Sequence, residues 1–159
     1  MIQNITISLL YLKTYLFIFR NVCYISALND AEGRKMFEEH IKKCAADLKV
    51  DEADLSGLHK LEVPTKTEVK CVLACAYKTI GTMNDEGKYD VKKGYEFAEV
   101  MEDGDPKRLE NGKKVADICS AVNDEPVTDG EKGCDRAALM FKCMLEQAPK
   151  VGYGLWILF

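Results

Sequence analysis

The sequence predicts an all-α fold, a compact bundle of about six helices, on three observations. Cys71 and Cys75 stand four residues apart, which on a helix places both on one face, one turn from each other. Apolar residues recur with a period near 3.6 along several stretches, the mark of amphipathic helices packed on a core. Those stretches begin and end at capping residues, prolines and glycines, as helices do.

The first helix is expected over about 31–48, with Met36, Phe37, Ile41, Cys44, Ala45 and Leu48 on its apolar face. A short second helix near 52–58 takes Asp51 as its N-cap, and Pro64 ends the joint that follows. Thr65 and Glu68 form a capping box that opens the third helix, and Gly81 stops it. Its apolar set is Val69, Val72, Leu73, Ala76, Tyr77 and Ile80. Residues 84–88 read as a turn. The fourth helix follows over about 91–102, with Val91, Phe97, Ala98 and Met101 inward. Asp105 and Pro106 open the fifth, an N-cap followed by proline at the first helical position. Leu109, Val115, Ile118 and Val122 are expected to face in. A polar loop over 123–133 leads to the sixth helix, about 134–148, which Pro149 prevents from continuing. Gly33, Gly94 and Gly112 fall inside predicted helices, each at a cost of about 1 kcal/mol relative to alanine.

The cysteines say where such a chain lives. Cys44, Cys71, Cys75, Cys119, Cys134 and Cys143 are separated by gaps of 26, 3, 43, 14 and 8 residues. An even number in a small host behind an apolar leader reads as a disulfide framework, which needs an oxidising compartment. Six cysteines allow fifteen pairings, and the sequence alone does not choose among them. The leader is residues 1–27, with apolar runs over 5–12 and 15–19, small residues Ser26 and Ala27 for cleavage, and a polar stretch from Asn29. It is expected to be a secretory signal peptide; Lys13 and Arg20 interrupt its apolar region, and a signal anchor or a misplaced start codon are the alternatives. Cleavage would remove the seventh cysteine, Cys23, and the one glycosylation sequon, Asn4-Ile5-Thr6. The leader holds two bases and no acid, so its loss takes the formal net charge from −4 to −6. That charge argues against nucleic acid as a partner, because phosphate binding needs a basic patch.

With those residues in view, the chain resembles insect odorant-binding proteins, the six-cysteine pheromone- and general-odorant-binding group. The three-residue gap between the second and third cysteines and the eight-residue gap between the fifth and sixth carry the resemblance. It is supported by the strings 70–75 (KCVLAC), 83–87 (MNDEG) and 137–143 (AALMFKC), and it runs from about Asp30 to Pro149. The domain is accordingly expected over 28–149. The resemblance implies bundled helices around an internal apolar cavity, and the pairing Cys44–Cys75, Cys71–Cys134 and Cys119–Cys143. Each bridge would add about 2–4 kcal/mol, chiefly by restricting the unfolded chain. Three such bridges can hold open a cavity that packing alone would close; equally, they can staple a small secreted domain with a filled core.

No catalytic constellation is expected. Outside the leader the chain has two histidines, His40 and His59, and two serines, Ser56 and Ser120, with no Gly-x-Ser-x-Gly motif. His40 lies near the apolar face of the first helix, where it is either a pH-sensitive polar group or a boundary histidine bonded to a carbonyl or water. The turn from Asn84 resembles a calcium loop only in its first residues: the glycine position is Tyr89 and the closing acid is Tyr95. No C-x2-C pair suggests zinc, and no cofactor is expected.

If a cavity is present, helix positions nominate Phe37, Leu55, Leu58, Val72, Ala76, Ile80, Phe97, Met101, Ile118 and Phe141 as its apolar wall. Each of these alone reads equally as plain core. The apolar tail, residues 150–159, is expected to fold back so that Tyr153, Leu155, Trp156 and Ile157 cover the pocket mouth. Surface packing, a dimer contact or a wrong gene end are the alternatives. The function implied is a secreted carrier of small apolar molecules such as odorants, pheromones or fatty acids, in sensillum lymph or another body fluid. An olfactory receptor or a membrane would be met at release, with acid near that membrane as the trigger, and a homodimer is left open. The alternatives are a lipid or hormone carrier of the same fold, or a ligand-free secreted protein that binds partners.

Overall fold

Residues 30–154 are described by a computed structural model; the leader and the tail from Leu155 onward, with Trp156 and Ile157, lie outside the described residues. Six α-helices follow one another: α1 Asp30–Leu48, α2 Ser56–His59, α3 Thr67–Ile80, α4 Val91–Val100, α5 Pro106–Cys119 and α6 Cys134–Gln147. Short 3₁₀ turns join them at Glu52–Leu55, Ser120–Asn123, Gly130–Lys132 and Pro149–Val151. Among the described residues the sole β feature is an isolated bridge between Met83 and Tyr89.

Local chemistry sets the ends. Asp51 accepts from the Ala53 N–H, Asp90 from Lys93 and Asp105 from Lys107, each satisfying a donor that a helix start leaves open. Gly81 closes α3 at φ 93°, a conformation glycine adopts without a Cβ clash. The expected capping box at Thr65 is not used. α3 starts two residues later, after Lys66, whose extended backbone (ψ 129°) carries no side-chain cap while its ammonium pairs with Asp54.

Helix α3 is the centre of the assembly, packed against both α1 and α6. Val72, Leu73 and Ala76 are almost wholly buried there, together with Ile41 of α1 and Met140 and Phe141 of α6. Helix α4 lies on α5, which in turn meets α6. Two inward assignments are corrected. Leu48 is 47% exposed because the chain reverses at Lys49 (φ 57°) and Val50 packs on the core in its place. Ile118 is 44% exposed because the buried stripe of α5 runs through Asn111, Gly112, Val115, Ala116 and Cys119, and Ile118 falls off its edge.

Three disulfides cross-link the bundle, Cys44–Cys75, Cys71–Cys134 and Cys119–Cys143, with Cα separations of 5.8, 4.3 and 5.8 Å. Helix α3 is thereby tied to α1 through Cys75 and to α6 through Cys71, and α6 to α5 through Cys143. Of the five described helices of ten or more residues, α4 alone has no cysteine.

The loop between α3 and α4 is fixed from several directions. The Asn84 carboxamide oxygen accepts from the Lys88 N–H at 2.9 Å, as befits the turn expected there. Asn123 exchanges two hydrogen bonds with the Tyr89 backbone, accepting from its N–H at 2.8 Å and donating to its carbonyl at 2.9 Å. Buried Arg136 of α6 donates to the carbonyls of Val122 and Glu125, which secures the segment after α5.

Candidate ligand-binding cavity

An apolar cavity of about 60 Å³ opens where five helices, the loop between α3 and α4, and the segment after α6 converge. Phe37 enters from α1, Tyr77 and Ile80 from the end of α3, and Thr82 and Tyr89 from the following loop. Helix α4 supplies Gly94, Phe97 and Ala98, and α5 supplies Gly112, Val115 and Ala116. Met144 of α6 and Tyr153 of the tail complete the wall. None of these residues carries a formal charge. Ile80, Phe97 and Met144 are half-buried and form its more open side.

Two helical glycines explain how the wall closes. A Cβ on Gly94 would overlap the Tyr89 hydroxyl, and one on Gly112 would lie 2.9 Å from the Ala98 Cβ and 3.0 Å from the Tyr153 ring. The missing side chains let Tyr89 and Tyr153 lie against α4 and α5.

Three tyrosines give this apolar space its polarity. Phe37 and Tyr77 stack at a tilt, centroids 5.8 Å apart. The Tyr77 hydroxyl is buried without a hydrogen-bond partner, a condition worth about 1–3 kcal/mol of lost stability. Burial pushes the phenols of Tyr77 and Tyr89 well above the ordinary tyrosine range, and that of Tyr153 to about 12. All three are therefore neutral donors at physiological pH. Thr82 is spent locally, its hydroxyl donating to the Tyr77 carbonyl at 3.4 Å.

Of the nominated wall residues, Phe37, Ile80 and Phe97 are brought together around the cavity. Val72, Ala76 and Phe141 lie in the solid core instead. Met101 is fully buried against Gly33 and is not part of the cavity wall. Leu55 and Leu58 are buried under surface clefts whose other walls include Lys42 and Glu52, or Asp54, Glu62 and Lys66. Ile118 faces outward, and Trp156 lies outside the described residues. A roomier cleft of about 320 Å³ lies between Pro64, residues 126–128 and α6, but Lys70, Asp135 and Lys142 sit in its walls and it is a surface feature. Among the described residues no group of His, Cys, Asp and Glu is arranged to hold a metal ion, and no helix is long and apolar enough to cross a membrane.

A family model described as the PBP/GOBP family matches residues 26–147. The chain belongs to the PBP/GOBP family. General odorant-binding protein 28a of Drosophila melanogaster is 27% identical over 128 residues, covering 80% of this chain and 86% of that protein. General odorant-binding protein 19d of the same fly is 26% identical over 117 residues, covering 74% and 75%. The solved structure of odorant-binding protein dmelOBP28a superposes with a TM-score of 0.62 at 26% identity, over 79% of this chain and 99% of that one. All of these relatives are named as odorant-binding proteins. This PBP/GOBP chain has a wall that sequence reasoning only partly named. Tyr89, Thr82, Ala116 and Met144 were not singled out as lining, and Gly94 and Gly112 were seen only as weak points in helices. That weakness was the usable signal, because glycine inside a helical pattern often marks a close approach.

Proposed function

We propose that this protein is a secreted carrier that reversibly binds a small hydrophobic molecule, of the odorant or pheromone kind, and moves it through aqueous fluid. The observation that carries the reading is the uncharged cavity between α1, α3, α4, α5 and α6, inside walls cross-linked by three disulfides. By the rule of about 24 cal/mol per Å³, a cavity of 60 Å³ costs about 1.4 kcal/mol, less than a single bridge contributes. The framework can therefore hold an empty space without losing the fold. Membership in the PBP/GOBP family and the names of the Drosophila relatives support the same conclusion.

Phe37, Ile80 and Phe97 are proposed as ligand contacts, with Met144 and Tyr153 beside them. The cavity is smaller than the ~150 Å³ engineered space that admits benzene. A ligand of eight or more carbons must therefore move side chains, and unbranched Met144 on the open side is best suited to yield. Burial supplies about 0.8 kcal/mol per methylene before ordering costs are met. Residues 1–27 would direct secretion, and residues 150–159 would cover the mouth, continuing from Tyr153.

The test is displacement of a fluorescent apolar probe from the oxidised chain lacking the leader, with and without residues 150–159. Saturable binding that small volatiles reverse is expected, weakened when the tail is absent. A chain with three intact disulfides that binds no probe in either form would exclude the carrier reading.

A further inference from the structure

One residue of the cavity wall carries a fully buried polar atom that the fold leaves unpaired. Tyr77 is 3% exposed, its ring lines the cavity, and its hydroxyl has no hydrogen-bond partner. Buried polar groups are paired in the great majority of cases, so an orphan in a cavity wall asks for a role. The hydroxyl oxygen is completely covered in this conformation, which leaves no room beside it for a bridging water. A cavity of 60 Å³ has to widen to take any sizeable molecule, and widening next to the Tyr77 ring is what would uncover the hydroxyl.

We propose that the Tyr77 hydroxyl is the polar anchor of the cavity, donating a hydrogen bond to the carbonyl oxygen of a neutral aldehyde, ketone or ester. This rests on the carrier reading and names its ligand class. The apolar remainder of the ligand lies among Phe37, Ile80, Phe97 and Met144. Burial keeps the phenol protonated, so it is a donor throughout the physiological range. A carboxylate or an ammonium finds no counter-charge on any lining residue, and burying either one unpaired is strongly unfavourable. A plain hydrocarbon gains the burial but leaves the hydroxyl unpaired.

The experiment is probe displacement by an n-alkanal, by the n-alkane of equal heavy-atom count and by the matching n-alkanoate at neutral pH. Wild type is compared with Tyr77→Phe. The substitution is expected to weaken the alkanal about 3- to 10-fold, the range of one net hydrogen bond, and to leave the alkane within about 2-fold. The alkanoate is expected to compete worst in wild type. Melting of the unliganded proteins is the second readout. Removing an orphan hydroxyl should leave the midpoint equal or higher, whereas a hydroxyl with a structural role would lower it. Equal losses for alkanal and alkane, no loss for the alkanal, a lower midpoint, or an alkanoate that competes best would each overturn the anchor. Failure of every compound and of the probe itself on wild type would instead overturn the carrier reading, and the anchor with it.

Discussion

Gly94 shows how a single hydrogen in place of a methyl group shapes this wall. Alanine there would gain about 1 kcal/mol in helix propensity, but its Cβ would run into the Tyr89 hydroxyl. Tyr89 has little freedom to retreat, being buried and held by Asn123 at both its N–H and its carbonyl. Overpacking of this kind typically costs about 1–3 kcal/mol, so steric conflict is expected to outweigh propensity. Gly94→Ala should lower stability by up to about 2 kcal/mol in denaturant titrations. In a Tyr89→Phe background the overlap with the oxygen is gone while the ring carbon, 2.9 Å from the added Cβ, remains, so part of that loss should disappear. Equal losses in the two backgrounds would show that the hydroxyl is not what Gly94 accommodates.

Among the five long described helices, α4 stands apart because no disulfide reaches it. It is held by packing on α5 and by surface pairs: Tyr95 donates to Asp117, and the Lys113 ammonium lies 2.8 Å from Glu99. Exposed pairs contribute little, at most about 1 kcal/mol each. Helix α3, bridged to both α1 and α6, is the opposite case. Native-state amide exchange should therefore be fastest in α4 among the five long helices and slowest in α3. Protection of α4 equal to that of α3 would contradict this ordering. The same helices show what the sequence made legible. Asp51, Asp105-Pro106 and Gly81 announced their helix ends because capping is local chemistry, carried by the residue and its neighbours. Thr65 misled because the pairing of Lys66 with distant Asp54 is tertiary. The cavity was harder to read. Val72 and Ile80 belong to the same apolar set of α3, and periodicity does not say which faces solid core and which faces a space; that depends on what the neighbouring helices bring.

At the scale of the whole molecule, three buried tyrosines from different segments face one small volume, and this ties stability to alkaline pH. An unfolded tyrosine loses its proton near pH 10, whereas burial raises all three in the fold, Tyr153 to about 12. The folded protein thus keeps protons that the unfolded chain gives up. Stability from this source is intact below about pH 10 and falls as pH rises from there towards 12, at about 1.4 kcal/mol per pH unit for each tyrosine. Denaturation midpoints measured across that range, alongside tyrosinate absorbance, should decline together with ionisation. A midpoint that stays flat while the rings ionise would mean that these phenols are not buried in solution.

The double bridging of α3 also has a consequence for order in time. Cys71 and Cys75 project from adjacent turns of one helix, yet their partners lie on different helices, Cys134 on α6 and Cys44 on α1. A chain made from its N-terminus presents Cys44, Cys71 and Cys75 together well before Cys134 exists. During that interval Cys44 has two candidate thiols one helical turn apart, and a flexible chain offers little to tell them apart. Once α3 is wound and α1 has docked on its proper face, geometry makes the choice. The helix is thus the jig on which its own cross-links are set, and oxidation that outruns its formation would lock the chain in the wrong register.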